Sequence, residues 1–288
     1  MIAKHLEEKV QKDKQKIDYA GAITFTIGMS ALLYWLLAGG ASFEWKSAIS
    51  YVLIAVSIMF LISFFRIELR HAEPMIPLKL FKNREILFAN IISFLASMIL
   101  IGITTYIPLW IQNVLHKGAT LSGFVLLPMS LAWPIGAMLG SRLIVKWGAK
   151  KVSLLGVFIV MLGTFGLTLT SISTPIWVTA GITLLMGLGF GLSLTIFTIV
   201  VQSAVSWDLR GAATSSNTFV RTLGQTIGIA LFGTYLNQQL NKSGSMDEVS
   251  LLSGAIGHIY IIMAVLALIS FIFAFWVPAR KNDMNEEH

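Results

Sequence analysis

Arg221 is the residue in this sequence whose type and setting point most directly to chemistry, because it stands inside the run SSNTFVRTLGQTIGIALFG, which becomes apolar beyond it. At about 3.6 residues per turn, Asn217, Arg221, Gln225 and Gly228 fall near one stripe of a helix. A cation, two amides and a small residue then share a face. Such a face could gate a pathway or touch a substrate. The alternative is an anchor, with the guanidinium reaching water beside Arg210 and Asp208. Polar and aromatic groups also recur in the run 86–112, at Asn90, Thr104, Tyr106 and Gln112, where Pro108 removes a backbone donor. They are candidates to line a cavity, although intramembrane hydroxyls more often bond a carbonyl four residues back or a neighbouring helix. Trp133, between Pro128 and Pro134, could stack on a planar ligand or simply pack.

The acids are informative by position. All 14 Asp and Glu fall in tails, loops or the ends of apolar runs. An ionisable carboxylate is kept inside a membrane for function, commonly proton coupling. If this chain takes part in a proton-driven process, the coupling acid is expected on another stretch of polypeptide. Zero cysteines exclude disulfides and a cysteine nucleophile. No cofactor or metal site is expected, since His258 has no second ligand at metal spacing. An enzyme is not expected either, because no nucleophile, acid and base cluster. MGLGFG resembles a nucleotide loop in spelling only, as no strand precedes it. Its glycines, with the GxxxG pairs Gly136/Gly140 and Gly224/Gly228, suit close helix packing.

The elements that must position these residues are membrane spans. The chain has 288 residues, 56% hydrophobic and 12% charged, against about 25% charged in soluble domains. Roughly 20 apolar residues cross a hydrocarbon core, and eight stretches reach that length. They run approximately 19–38, 48–65, 86–112, 120–141, 152–171, 176–203, 214–236 and 256–277. The net charge of +7 is not a nucleic-acid footprint, because Lys and Arg lie in the gaps between spans. In an eight-span arrangement seventeen of them fall on one side and three on the other, with Arg221 inside a span. Positive loops stay cytoplasmic. The expected topology is a multi-pass plasma-membrane protein with both termini in the cytoplasm. Tryptophans 35, 45, 110, 147, 177 and 276 are expected at the headgroup level, as span-end indoles.

The expected organisation is a cytoplasmic tail over 1–18, a helix pair over 19–66, a cytoplasmic loop over 67–85, a six-helix unit over 86–278 and a tail over 279–288. The loop SRLIVKWGAKK resembles the second copy of the conserved major facilitator loop, matching at Leu143, Lys146, Gly148, Lys150 and Lys151; Ser141 replaces a glycine and Val145 the aspartate. EPMIPLKLFKNREILFANIISFL resembles the entry to the C-terminal bundle of the 14-helix drug:proton antiporters, the EmrB/QacA type. DLRGAATSSNTFVRTLGQTIGIALFGT resembles a helix of the same family, on Arg210, Gly211, Asn217, Arg221, Gly224 and Gly228. KIDYAGAITFTIGMSALLYWLLAGG resembles the start of its central helix pair.

The resemblance implies an all-α integral membrane fold: a two-helix linker followed by the C-terminal half of a major facilitator, its six helices in two three-helix repeats. It also implies proton-coupled export of amphipathic or cationic drugs, with the N-terminal six helices and their membrane acids missing. Lys146, Gly148, Lys150, Lys151 and Arg210 would then belong to conformational loops. The rival readings are a nonfunctional or split-gene fragment and an exporter of tetracycline or a small metabolite. The expected partners are the lipid bilayer, a drug-like substrate, protons and an N-terminal half, with no nucleic acid.

Overall fold

Residues 18–40, 42–70, 78–241 and 248–278 are described by the computed structural model, and they form seven α-helices with no strand among the described residues. Helix α1, Tyr19–Ala38, starts where the Asp18 carboxylate accepts a 2.8 Å hydrogen bond from the Gly21 amide, satisfying an orphan donor of the first turn. Helix α2, Ala48–Arg70, folds back along it. Gly28 abuts Leu61, Trp35 donates to the Ser50 hydroxyl at 2.8 Å, and the Phe25 and Phe64 rings meet at 5.1 Å. This hairpin is mostly exposed and touches the rest through α1.

A 3₁₀ turn, Leu78–Lys82, leads into α3, Arg84–Leu109, whose cap is Asn83 accepting from the Glu85 amide at 2.8 Å. Pro108 cannot donate to the turn before it. The helix then widens into a π turn over Trp110–Val114, where Leu115 N–H reaches back to the Trp110 carbonyl at 3.1 Å.

Helix α4, Ala119–Thr168, is continuous in hydrogen bonding over 50 residues. Straight, it would be about 75 Å long, far more than a bilayer of about 40–45 Å. It does not run straight, because Gly148 takes φ 78°, ψ 159°, outside the helical region. The contacts with α5, Ile176–Ser203, prove the reversal. On the first arm, Val125, Met129 and Trp133 meet Thr183, Gly187 and Gly191 in increasing order. On the second arm, Gly156, Gly163 and Gly166 meet Ser193, Met186 and Ile182 in decreasing order. The arms are therefore antiparallel and α4 supplies two crossings.

Helices α6, Arg210–Asn241, and α7, Glu248–Phe275, complete the bundle. Here α3 packs mainly on α6 and α7, while α5 packs on both arms of α4. The two spatial groups are thus not the consecutive triplets that the repeat pattern implies: α3 and α5 have changed places. One glycine makes a close approach possible. A Cβ on Gly224 would overlap the Phe94 carbonyl, so α6 and α3 touch backbone to backbone. The core forms two apolar clusters, one around Ile103, Phe190 and Met263, the other around Ile92, Phe197 and Ala274.

Among the described residues six helices are long and apolar enough to cross a membrane. With α4 counted as two arms, and with α6, long enough at 32 residues but polar in its first half, eight membrane-length segments follow in the expected order. The fold is an all-α integral membrane fold.

Several boundaries are corrected. The loop expected at 67–85 begins inside a helix, since α2 runs on to Arg70; residues 71–77 lie outside the described residues. The loop expected at 142–151 is helical apart from Gly148, because Arg, Leu, Ile, Lys and Trp all continue a helix once its polar face meets water. Helix α6 starts at Arg210 rather than 214 and α7 at Glu248 rather than 256, for the same reason. Trp110 stands at the end of α3, and its ring is buried against Tyr260, with ring centroids 6.4 Å apart. Of the tails expected at 1–18 and 279–288, only Asp18 lies within the described residues, as the cap of α1.

Candidate functional site

Asn217, in the first half of α6, is brought by the Gly224 contact against α3, and there it meets Asn90. Its amide nitrogen donates to the Asn90 side-chain oxygen at 3.0 Å, while the Asn90 amide nitrogen donates to the Ile86 carbonyl at 2.8 Å. Two longer contacts complete the group: Asn217 to the Ser93 hydroxyl at 3.4 Å, and the Thr198 hydroxyl of α5 to the Asn217 oxygen at 3.3 Å. Asn90, Ser93 and Asn217 are all buried. In an apolar bundle such a group fixes the register of three helices, because each amide would otherwise lose hydrogen bonds.

The stripe leaves the bundle as it turns. Arg221 and Gln225, one and two turns beyond Asn217, are half-buried and make no hydrogen bond or ion pair among the described residues. Thr218 and Thr222 beside them are exposed, and the Thr222 and Thr226 hydroxyls donate to carbonyls four residues back. Helix α1 packs along another side of α6, at Phe219 and Thr234, so among the described residues this membrane-length helix presents a polar flank that is only partly covered.

The other predicted residues are not gathered into this group. Thr104 donates to the Leu100 and Ile101 carbonyls of its own helix. Tyr106 is buried edge-on against Phe232 at 6.0 Å. Gln112 is exposed at the far end of α3 and donates to the Ser122 hydroxyl at 3.1 Å. Trp133 stacks on Phe190, 5.6 Å apart and 22° from parallel, so one ring face is already occupied. His258 is exposed and hydrogen-bonded to the Gly254 carbonyl.

The conformational-loop candidates lie on the side rich in basic residues. Gly148 is the break in α4, and Lys146 and Lys151 beside it are exposed. Lys150 donates to the Phe275 carbonyl at 2.8 Å and so caps the last turn of α7, where a cation suits the helix dipole. Arg210 lies 4.9 Å over the Trp207 ring, a cation–π contact at an exposed turn.

Three features escape sequence reasoning. Thr198 gives no signal, being a lone threonine in an apolar run. The threonines at 214, 218, 222 and 226 do give one, their spacing of four marking the polar flank of α6. Asp18 and Glu68 are both buried, at the same end of the α1–α2 hairpin; the extension of α2 past residue 66 would have disclosed Glu68.

Comparison with known proteins agrees with this architecture. A sequence model of the Major Facilitator Superfamily matches residues 11–229. The chain is similar to multidrug transporter protein MdtP of Bacillus subtilis, 32% identical over 245 residues, covering 85% of this chain and 45% of that protein. It is also similar to multidrug resistance protein 3 of Bacillus subtilis, 32% identical over 90% of this chain and 51% of the other. A tetracycline resistance determinant of Streptomyces rimosus is 28% identical over 75% of this chain and 62% of its own length. The chain spans about half the length of the first two relatives. A family match over more than half its residues, on a helical bundle with polar groups held inside it, makes this chain a member of the major facilitator superfamily.

Proposed function

We propose that this chain is the C-terminal portion of a multidrug exporter of the 14-helix drug:proton antiporter kind, with α1 and α2 as the central pair and α3 to α7 as the C-terminal bundle. It works with a six-helix N-terminal bundle that brings the proton-binding acids. The polar flank of α6 faces that bundle across the substrate path, in the cell membrane, with both chain ends in the cytoplasm. Asn90 and Asn217 hold α6, Arg221 and Gln225 face the path, and the segment around Lys146, Gly148, Lys150, Lys151 and Arg210 shapes the cytoplasmic end. Thr104, Tyr106, Gln112 and Trp133 belong to the walls around the path.

The observation that carries this reading is the depth of Gln225. Helix α6 has 32 residues, about 48 Å, so about 9 Å projects beyond each side of a hydrocarbon core of about 30 Å if the helix is centred. Arg221 lies eleven residues from the first residue of α6, hence about 7 Å inside the core, within reach of water by snorkelling. Gln225 lies about 6 Å deeper, near the midplane, and its short neutral side chain cannot snorkel. An unpaired amide facing lipid there would cost on the order of 2–7 kcal/mol. A water-filled path or a polar partner removes that cost.

The test is co-expression with the six N-terminal helices of the Bacillus subtilis relative MdtP, reading ethidium accumulation. Accumulation should fall only when both halves are present, return when a protonophore collapses the gradient, and return in the Arg221→Gln/Gln225→Leu variant at equal membrane abundance. Unchanged accumulation with both halves present, or export that survives the protonophore, defeats the proposal. Tetracycline belongs in the same assay, since one relative is named a tetracycline resistance determinant.

A further inference from the structure

Between α3, α6 and α7 lies an apolar groove of about 280 Å³, walled by Leu87, Ile91 and Leu95 of α3, Val220 of α6, and Ile269 and Phe273 of α7. Asn90 backs it, but its amide is committed to Ile86 and Asn217, so the walls offer no free polar group. The volume falls just below the roughly 300–1,000 Å³ usual for drug-sized ligands. The shape is set by helix ends. On α3 the wall runs from Leu87 to Leu95, eight residues, about 12 Å at 1.5 Å each, which is most of the depth of one leaflet, half of about 30 Å. Phe273 lies two residues from the last residue of α7, so α7 enters from the same membrane face.

The mouth of the groove is basic. Phe81, on the 3₁₀ turn, closes its outer end, and Lys79, Lys82 and Arg84 around it are exposed. Glu85 is the one acid between residues 78 and 95, so the mouth keeps a net positive charge. Trp276 stands beside it, 5.9 Å from Phe88 and 5.5 Å from Phe273 by ring centroid, where an indole marks the headgroup level.

We propose that this groove is a binding site for an anionic phospholipid of the Lys- and Arg-rich leaflet, one acyl chain lying between α6 and α7 on α3 and the phosphate meeting Lys82 and Arg84. A wholly apolar slot most of a leaflet deep, with cations only at its outer end, complements an acyl chain below a phosphate. A free anion would find no use for the slot, and a drug-sized cation would meet like charges at the mouth.

The purified 288-residue chain in detergent is offered phosphatidylglycerol or phosphatidylcholine with identical acyl chains, and bound lipid is read by native mass spectrometry. The wild type should retain phosphatidylglycerol preferentially. In Lys82→Gln/Arg84→Gln that preference should fall about thirtyfold, what two juxtamembrane charges supply, while phosphatidylcholine retention stays the same. Leu95→Trp, filling the slot from a half-exposed position, should lower retention of both lipids. Lys146→Gln/Lys151→Gln, two exposed charges at the α4 break, should change neither. Equal retention of the two lipids by the wild type overturns the proposal, as does an unaltered preference in Lys82→Gln/Arg84→Gln or an equal loss in Lys146→Gln/Lys151→Gln. Should Leu95→Trp fail to fold, the two exposed-charge variants decide the matter alone.

Discussion

The Asn90–Asn217 contact makes a prediction whose sign is unusual. The bond is 3.0 Å long between two buried side chains, whereas the accompanying contacts to Ser93 and Thr198 are 3.4 and 3.3 Å. The longer two lie beyond good hydrogen-bond length, so the first carries the interaction. Replacing Asn217 by Leu, which has the same branching at Cγ, removes an interhelical bond worth about 0.6 kcal/mol on average and at most about 1.7 in a membrane bundle. It also strands the Asn90 oxygen, since the Asn90 nitrogen alone is held, by Ile86; an orphaned buried acceptor costs about 1–3 kcal/mol. The single variant should therefore lose about 1–3 kcal/mol. Asn90→Leu strands the Asn217 nitrogen in the same way and should lose a similar amount.

The double variant Asn90→Leu/Asn217→Leu strands neither group, and paired replacement by apolar groups of like shape is close to neutral. It should be no less stable than the worse single variant, so the coupling energy should be about 1 kcal/mol or more. Unfolding in mixed micelles with increasing SDS, followed by tryptophan fluorescence, gives the four free energies. Single losses that simply add in the double variant, within about 0.3 kcal/mol, would mean that the two amides do not depend on each other. The polar group would then not be what holds α6 in place.

Gly148→Ala should destabilise by about 1–3 kcal/mol in the same unfolding assay, purely through backbone strain at φ 78°, because an added Cβ there meets nothing within 4 Å; an unchanged midpoint would mean that the turn is not needed in that form. Gly224→Ala meets the Phe94 carbonyl instead, and the forced separation of α6 from α3 should cost about 1–3 kcal/mol. Disulfide trapping between cysteines introduced at Met98 and Gly228, which pack together, should slow in that variant. Lys150→Met should lose under about 1 kcal/mol, the helix-end contribution of a surface cation, with Lys150→Arg restoring it; equal losses in both would point to packing of the stem rather than to the charge on the Phe275 carbonyl.

Hydropathy made the number and order of the membrane segments legible, because lipid demands an unbroken apolar run of known length. It could not find where helices end, since a helix that leaves the hydrocarbon continues for as long as its residues tolerate helical angles. This accounts for Glu68 emerging as a buried residue of α2, and for α7 beginning eight residues before its apolar run. It also accounts for the stretch between the arms of α4, where one glycine, and not a loop, reverses the chain. The stripe of Asn217, Arg221 and Gln225 was legible because it depends only on spacing within one helix. Its division was not: Asn217 turns inward to a partner 127 residues away, while Gln225 turns outward, and that difference is set by which neighbouring helix carries an amide at the same depth.

The exchange of α3 and α5 between the two spatial groups explains why that partner sits on α3. In a bundle of consecutive triplets, α6 would pack on α5 and α7, and Asn217 would have only the 3.3 Å contact from Thr198. With α3 placed between α6 and α7 instead, Gly224 and Gly228 bring α6 onto Phe94 and Met98, and Asn90, one turn before Phe94, arrives level with Asn217. The glycines supply the approach and the amides supply the register. Neither suffices alone, because a glycine pair can slide by a turn at little cost in contact area, whereas an amide pair cannot slide without stranding both groups in an apolar medium.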